Sequence, residues 1–319
     1  MKKWIDRLLG GGKETNAPEA AQAGPDAEER DFTGEVDATW YRWLTASSGY
    51  QASEELQDRI LDAVRALVHD PAGAAELVPR MPELIPQLMR SLAEEDMSAA
   101  DLSRQVAQDK VLVAEVIRES NSAYYRPLTP IETLEAAVMM LGHNGLRMLL
   151  ARVALRPLIK MQSGGFARQA APQVWNQSEK SAFAASLMAP GLSAGVFEAY
   201  LAGLMQNIGL VVAFRVADGL VEGNRMPGSS AFGLRLMSVS RQLSAVIARH
   251  WDFPPEVADA IHDPGADTGL AQALALGDRI AKLRVLIDGS VVDESDPLVM
   301  DGLNGFQRRC LGKLADIES

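Results

Sequence analysis

From Val36 onward, large apolar side chains return at steps of three and four residues, and no stretch sustains the apolar–polar alternation of a half-buried strand. Leu56, Ile60, Val64 and Leu67 show the pattern. Leu102, Val106, Leu112, Val113, Val116 and Ile117 continue it, followed by Leu134, Val138, Leu141, Leu146, Leu149, Leu150 and Val153. Ser98 and Asp101 resemble a capping-box start, in which a hydroxyl accepts from a first-turn N–H that has no helical partner. Prolines, among them Pro71, Pro127, Pro157, Pro172, Pro190, Pro227, Pro254 and Pro297, punctuate the pattern at intervals suited to ordinary helices. This predicts an all-α protein, a multi-helix bundle of two packed helical lobes that meet near the paired glycines Gly164 and Gly165.

The first 36 residues differ. MKKWIDRLL gathers Trp4, Ile5, Leu8 and Leu9 on one side of a short amphipathic helix, a candidate for weak contact with a membrane surface through residues 1–9. Gly, Ala, Pro and acids follow, with almost no large apolar residue, as in a flexible linker. The expected organisation is a tail over 1–36, a helical extension over 37–79, a main domain over 80–290 with lobes of about 80–165 and 166–290, and a C-terminal helix over 291–319.

The formal charge of −11 disfavours broad binding to nucleic acid, which needs Lys and Arg against phosphate. Arg152, Arg156 and Lys160 stand four apart, and such a row reads first as a solvated face. The single cysteine, Cys310, excludes an intramolecular disulfide and suits a cytoplasmic location. The longest uncharged apolar window, Ala199–Phe214, is shorter than the roughly 20 residues of a membrane span.

Candidate chemistry is sparse. His69, His143 and His250 lack metal-ligand spacing, and the dipeptide His262–Asp263, just before Pro264, reads as a helix-ending turn. Cys310 reads as a quiet structural thiol, and neither a phosphate loop nor a Gly-x-Ser-x-Gly elbow is present. What remains is FEAYLAGLMQNIGLVVAFR, residues 197–215. Read as one helix at about 100° per residue, it puts Leu201, Leu204, Met205, Ile208, Val211 and Val212 on one face and Gln206 on the opposite side with Ala199, Ala202 and Gly203. Asn207 falls between the faces. Such a helix lies between neighbours, and its two amides need partners or line a pocket.

At this point the chain resembles the HDOD family. ESNSAYYRPLTPIETLEAAVMMLG (119–142) matches its Asn-Ser-Ala turn and following helix at Asn121, Ser122, Ala123, Ile131, Thr133, Leu134, Ala137, Val138, Leu141 and Gly142. VWNQSEKSAFAASLM (174–188), EAYLAGLMQNIGL (198–210) and ARHWDFPPEVADAI (248–261) follow in family order, with Trp175, Gly203, Gly209, Trp251 and Pro254 as structural positions. The family is similar to the HD superfamily of metal-dependent phosphohydrolases. That resemblance sets Gln177 where the first histidine would stand, Gln206 and Asn207 at the His-Asp pair, and Asp278 at the last aspartate.

Neutral amides are poor ligands for the metals of that chemistry. The resemblance therefore implies a bacterial signalling protein without catalysis, cofactor or metal, acting on a regulatory protein in trans. The single cysteine and the segment 1–9 set the expected location in the cytoplasm or at the inner face of the membrane. An alternative keeps the degenerate pocket as a nucleotide or small-molecule sensor. A cryptic phosphodiesterase is a more distant third.

Overall fold

The computed structural model describes residues 30–46, 49–78, 98–122, 125, 127–160, 164–223 and 225–317. The amphipathic segment 1–9 and the linker after it lie outside these, as do Met97 and Ala123. Residues Phe32–Ser319 form one compact unit. Its helices run α1 Phe32–Thr45, α2 Glu54–Val68, α3 Pro71–Glu76, α4 Ala99–Val106, α5 Lys110–Ser120, α6 Leu134–Lys160 and α7 Gly165–Met188. After them come α8 Val196–Met205, α9 Ile208–Asp218, α10 Ser230–His250, α11 Pro255–His262, α12 Gly269–Asp288, α13 Pro297–Met300 and α14 Gly305–Lys313. Among the described residues, extended pairing is limited to β1 (Gly49–Tyr50) beside β2 (Met226–Pro227), in parallel. The fold is all-α.

Helix α7 is the axis of the bundle, in contact with α6, α8, α9 and α12. Its start is held by a carboxylate at the far end of α9: the Phe166 and Ala167 N–H groups donate to Asp218 at 2.7 and 3.0 Å. A negative charge at a helix N-terminus satisfies free donors and opposes the helix dipole. Small residues let the backbones approach. A Cβ on Gly203 of α8 would stand 2.4 Å from the Ala182 Cα of α7, and one on Gly209 of α9 would stand 2.1 Å from the Ser240 carbonyl of α10.

The HDOD-like turn is closed by a side chain. Asn121 Nδ2 donates to the Ile117 and Ile131 carbonyls at 2.8 and 2.7 Å, and its Oδ1 accepts from the Ile131 N–H at 2.8 Å. Ser122 continues this turn, its N–H on the Glu119 carbonyl. Gly142 bends α6 with φ 65° and ψ −175°, a conformation open in practice to glycine alone. Trp175 is fully buried in α7. Trp251 ends α10, and Pro254 precedes the first turn of α11.

Several expectations change. Helix α1 begins at Phe32, ahead of the 36/37 boundary, because Val36, Trp40, Tyr41 and Leu44 already supply a buried face. Pro157 and Pro172 do not end helices but lie inside α6 and α7, where burial of neighbouring turns outweighs the lost backbone hydrogen bond. Arg152 and Arg156 are not a solvated row. Arg152 is buried between Glu119 of α5 and Glu179 of α7, at 2.5 Å from each, and Arg156 reaches Glu119 at 2.9 Å. The acids that draw them in lie far away in sequence.

Other readings hold. Ser98 accepts from the Asp101 N–H at the start of α4. His262 ends α11, and Asp263 caps the turn by accepting from Gly265. Burial pushes the Cys310 thiol up to about 12, which leaves it protonated and unreactive at neutral pH. Lys180 of α7, also buried, donates to Asn176 at 2.8 Å and to the Ile317 carbonyl at 2.7 Å.

Gly203→Ala is expected to lower stability by about 1–3 kcal/mol, the usual effect of overpacking a close helix contact. Urea unfolding measures it, and an unchanged midpoint would show that α7 and α8 can separate freely.

Candidate functional site

The predicted site residues come from three places in the bundle. The middle of α7 supplies Gln177, beside Ser178 and Ser181, which the sequence reading did not single out, and α12 supplies Asp278. Gln206 and Asn207 do not lie within a single helix as the sequence periodicity suggested. They occupy the break between α8 and α9, where Asn207 leaves helical geometry at φ −102° and ψ 4°. Ser244 of α10 splices this break: its hydroxyl donates to the Gln206 carbonyl at 2.6 Å and accepts from the Gly209 N–H at 2.8 Å. Backbone groups that a helix break would strand in the core are thereby satisfied.

Side chains then form a continuous chain of hydrogen bonds. Asn207 Nδ2 donates to Gln177 Oε1 and, at 3.0 Å, to Ser178 Oγ. Gln177 Nε2 passes the polarity on to Asp278 Oδ1 at 2.5 Å. Gln206 turns aside to donate to Ser181 Oγ at 2.6 Å. Gln177, Asn207 and Asp278 are thus linked directly, while Gln206 reaches α7 one turn further on.

Two cations meet the carboxylate from its other side. Lys282 Nζ and Arg241 Nη2 each stand 2.7 Å from Asp278 Oδ2. Lys282 also reaches Asp37 of α1 at 2.6 Å, and Arg241 stands 3.7 Å from the same carboxylate. Lys282 is only 2 % exposed and lies 5.3 Å from the centre of the Trp40 ring. Burial by itself would raise the Asp278 carboxyl. The Lys282 and Arg241 charges, with hydrogen bonds from Lys282 and Gln177, more than offset it and hold the group below its ordinary range.

A cavity of about 10 Å³ remains between Gln206, Asn207, Leu210, Met237, Ser240, Arg241 and Lys282, enough for one water at most. Sequence reading missed Asp37, Arg241 and Lys282. The Asp278–Lys282 spacing of four on one helix was a usable signal. Asp37 and Arg241 had none, since only the tertiary fold brings them together.

The HDOD domain family matches residues 78–264, more than half of the chain, and the protein belongs to that family. Asp37, Asp278 and Lys282 fall outside the matched span. An uncharacterized protein from Treponema pallidum (strain Nichols) is 25 % identical over 195 residues, covering 58 % of this chain. The chain spans 37 % of that relative's length.

Among solved structures, an HDOD domain protein of unknown function from Geobacter sulfurreducens is similar with a TM-score of 0.55 at 18 % identity, over 88 % of this chain and 94 % of that one. A Marinobacter aquaeolei VT8 protein, provisionally named a signal transduction protein, gives 0.54 at 22 % identity, over 89 % and 63 % respectively. At these identities the structures establish the fold alone.

The residues present do not fit the metal of the HD superfamily. Gln177 Oε1 is engaged by Asn207, and both Asp278 oxygens carry donors. A divalent cation at Asp278 would also face two positive side chains within hydrogen-bond distance of the same oxygen, so the donor set repels what it would have to hold.

Because the folded Asp278 carboxyl is depressed, its stabilisation is present above the ordinary carboxylate range, near pH ~4, and is lost as pH falls through the folded value. Asp278→Asn should therefore be about 3–5 kcal/mol less stable at pH 7, as when one member of a buried pair is removed. The gap to wild type should narrow below about pH 4. Urea unfolding from pH 7 to 3 measures it, and a gap independent of pH would contradict the assignment.

Proposed function

We propose that this chain is a non-catalytic regulator in bacterial signal transduction that acts through contacts with a regulatory protein in trans. The carrying observation is the closed cluster at Asp278. The carboxylate that hydrolytic chemistry would need for a metal is neutralised by Lys282 and Arg241. Asn207 commits its amide to Gln177 and Ser178, Gln177 to Asp278, and Gln206 to Ser181. With no group of this cluster free to activate water, the reading assigns the work to the outer surface of the helical body. The name given to the M. aquaeolei protein, signal transduction, supports the same class.

A nucleotide sensor built on this centre has less support, because a cavity of about 10 Å³ falls far short of the roughly 300 Å³ at which ligand pockets begin. The described stretch apolar enough to cross a membrane, Val196–Asp218, is mostly buried and is broken at Gln206–Asn207. That favours a core role for it and a cytoplasmic location for the protein. Any membrane contact would rest on residues 1–9.

Purified protein supplied with Mn²⁺, Fe²⁺ or Zn²⁺ is expected to leave nucleotide and cyclic-dinucleotide substrates unchanged, while affinity capture at native expression enriches a defined signalling protein. Metal-dependent turnover that disappears in Asp278→Ala would overturn the proposal.

A further inference from the structure

Helix α1 lies before the HDOD match, yet it completes the central cluster. It packs on α10, α12 and α13 and brings Asp37 against Lys282 and Arg241. Without Asp37, two cations would face the single carboxylate of Asp278, leaving one excess positive charge in a nearly dry setting. An isolated buried charge is strongly unfavourable, so this pair demands a second anion. A guanidinium beside an ammonium suits an oxyanion, since it presents several N–H donors to neighbouring oxygens. The Asp37 carboxylate is such a group, supplied from within the chain. Arg241 keeps 22 % of its side chain in contact with solvent, so the pair has an open edge, and the small cavity beside Lys282 adjoins the same two cations.

We propose that Lys282 and Arg241 form a small-oxyanion site whose internal ligand is Asp37, so that helix α1 is exchangeable for an external carboxylate or phosphate group. This goes beyond the adaptor reading and stands without it. The device resembles a plug: the Asp37 carboxylate closes the centre in the conformation described, and an external oxyanion takes its place where that carboxylate is withdrawn.

The test uses the full chain carrying Asp37→Ala, melted in sodium formate, sodium phosphate or sodium chloride at equal ionic strength. The variant is expected to melt roughly 5 °C or more below wild type. Formate or phosphate should recover about half of that loss or more, chloride should not, and wild type should not distinguish the three salts. Preference between formate and phosphate then sets the class of ligand. Adding Lys282→Met to the variant should abolish the selective recovery.

Hydrogen exchange supplies a second reading. Amides of residues 36–44 should exchange at least ~10-fold faster in Asp37→Ala while those of α7 keep their protection, as expected when one unit opens locally. If Asp37→Ala does not fold, Asp37→Ser, which removes the charge and still leaves room for an added oxyanion, carries the same comparison. The proposal is overturned if formate and phosphate act no differently from chloride on the variant, if wild type gains equally, if the double variant keeps the gain, or if all helices loosen together.

Discussion

The structure turns on one buried carboxylate. Asp278 is buried in a helical bundle, where an unpaired charge would be strongly disfavoured. Its neutralisation by Lys282 and Arg241, and theirs in turn by Asp37, joins α1, α10 and α12. Gln177 and Asn207 extend the polarity to α7 and to the α8–α9 break. Five elements are thus registered by a set of bonds whose members would each be destabilising alone. Buried ion groups of this kind add less net stability than their contacts suggest, because desolvation offsets much of the attraction. Their effect here is geometric: they dictate which faces meet.

The break between α8 and α9 shows the same logic applied to backbone. An apolar run long enough for a single helix is interrupted where Ser244 absorbs two stranded backbone groups and the two amides find side-chain partners on α7. Gly203 and Gly209 stand on either side of it, so each half lies unusually close to its neighbour, α7 on one side and α10 on the other. Close backbone approach and a break in direction are then two parts of one packing solution.

Much of this was legible in the sequence. Three- and four-residue periodicity reports which side of a helix is buried, and it led to an all-α bundle. Local chemistry was equally readable: Ser98 caps its helix, and His262–Asp263 ends one. The family resemblance brought Gln177, Gln206, Asn207 and Asp278 into view as a group, and the fold links Gln177, Asn207 and Asp278 directly, with Gln206 alongside. What periodicity does not carry is the identity of distant partners. Arg152 looked solvated because Glu119 and Glu179 lie on other helices. Nothing near Asp37 in sequence announces Lys282. The continuous helix drawn through 197–215 failed for a related reason: a turn stabilised by Ser244 from another helix leaves no local mark.

The long reach of these pairings has a consequence for biosynthesis. Asp37 and Lys282 are 245 positions apart, and Lys180 waits 137 positions for the Ile317 carbonyl. During synthesis, which proceeds at roughly 5–20 residues per second, α1 leaves the ribosome long before its partner exists. Its charged face must stay hydrated while the middle of the chain condenses. The centre can close only when nearly everything downstream has emerged, so a helix made early is among the last to settle, and its burial marks a chain that has been translated through to the end of α12.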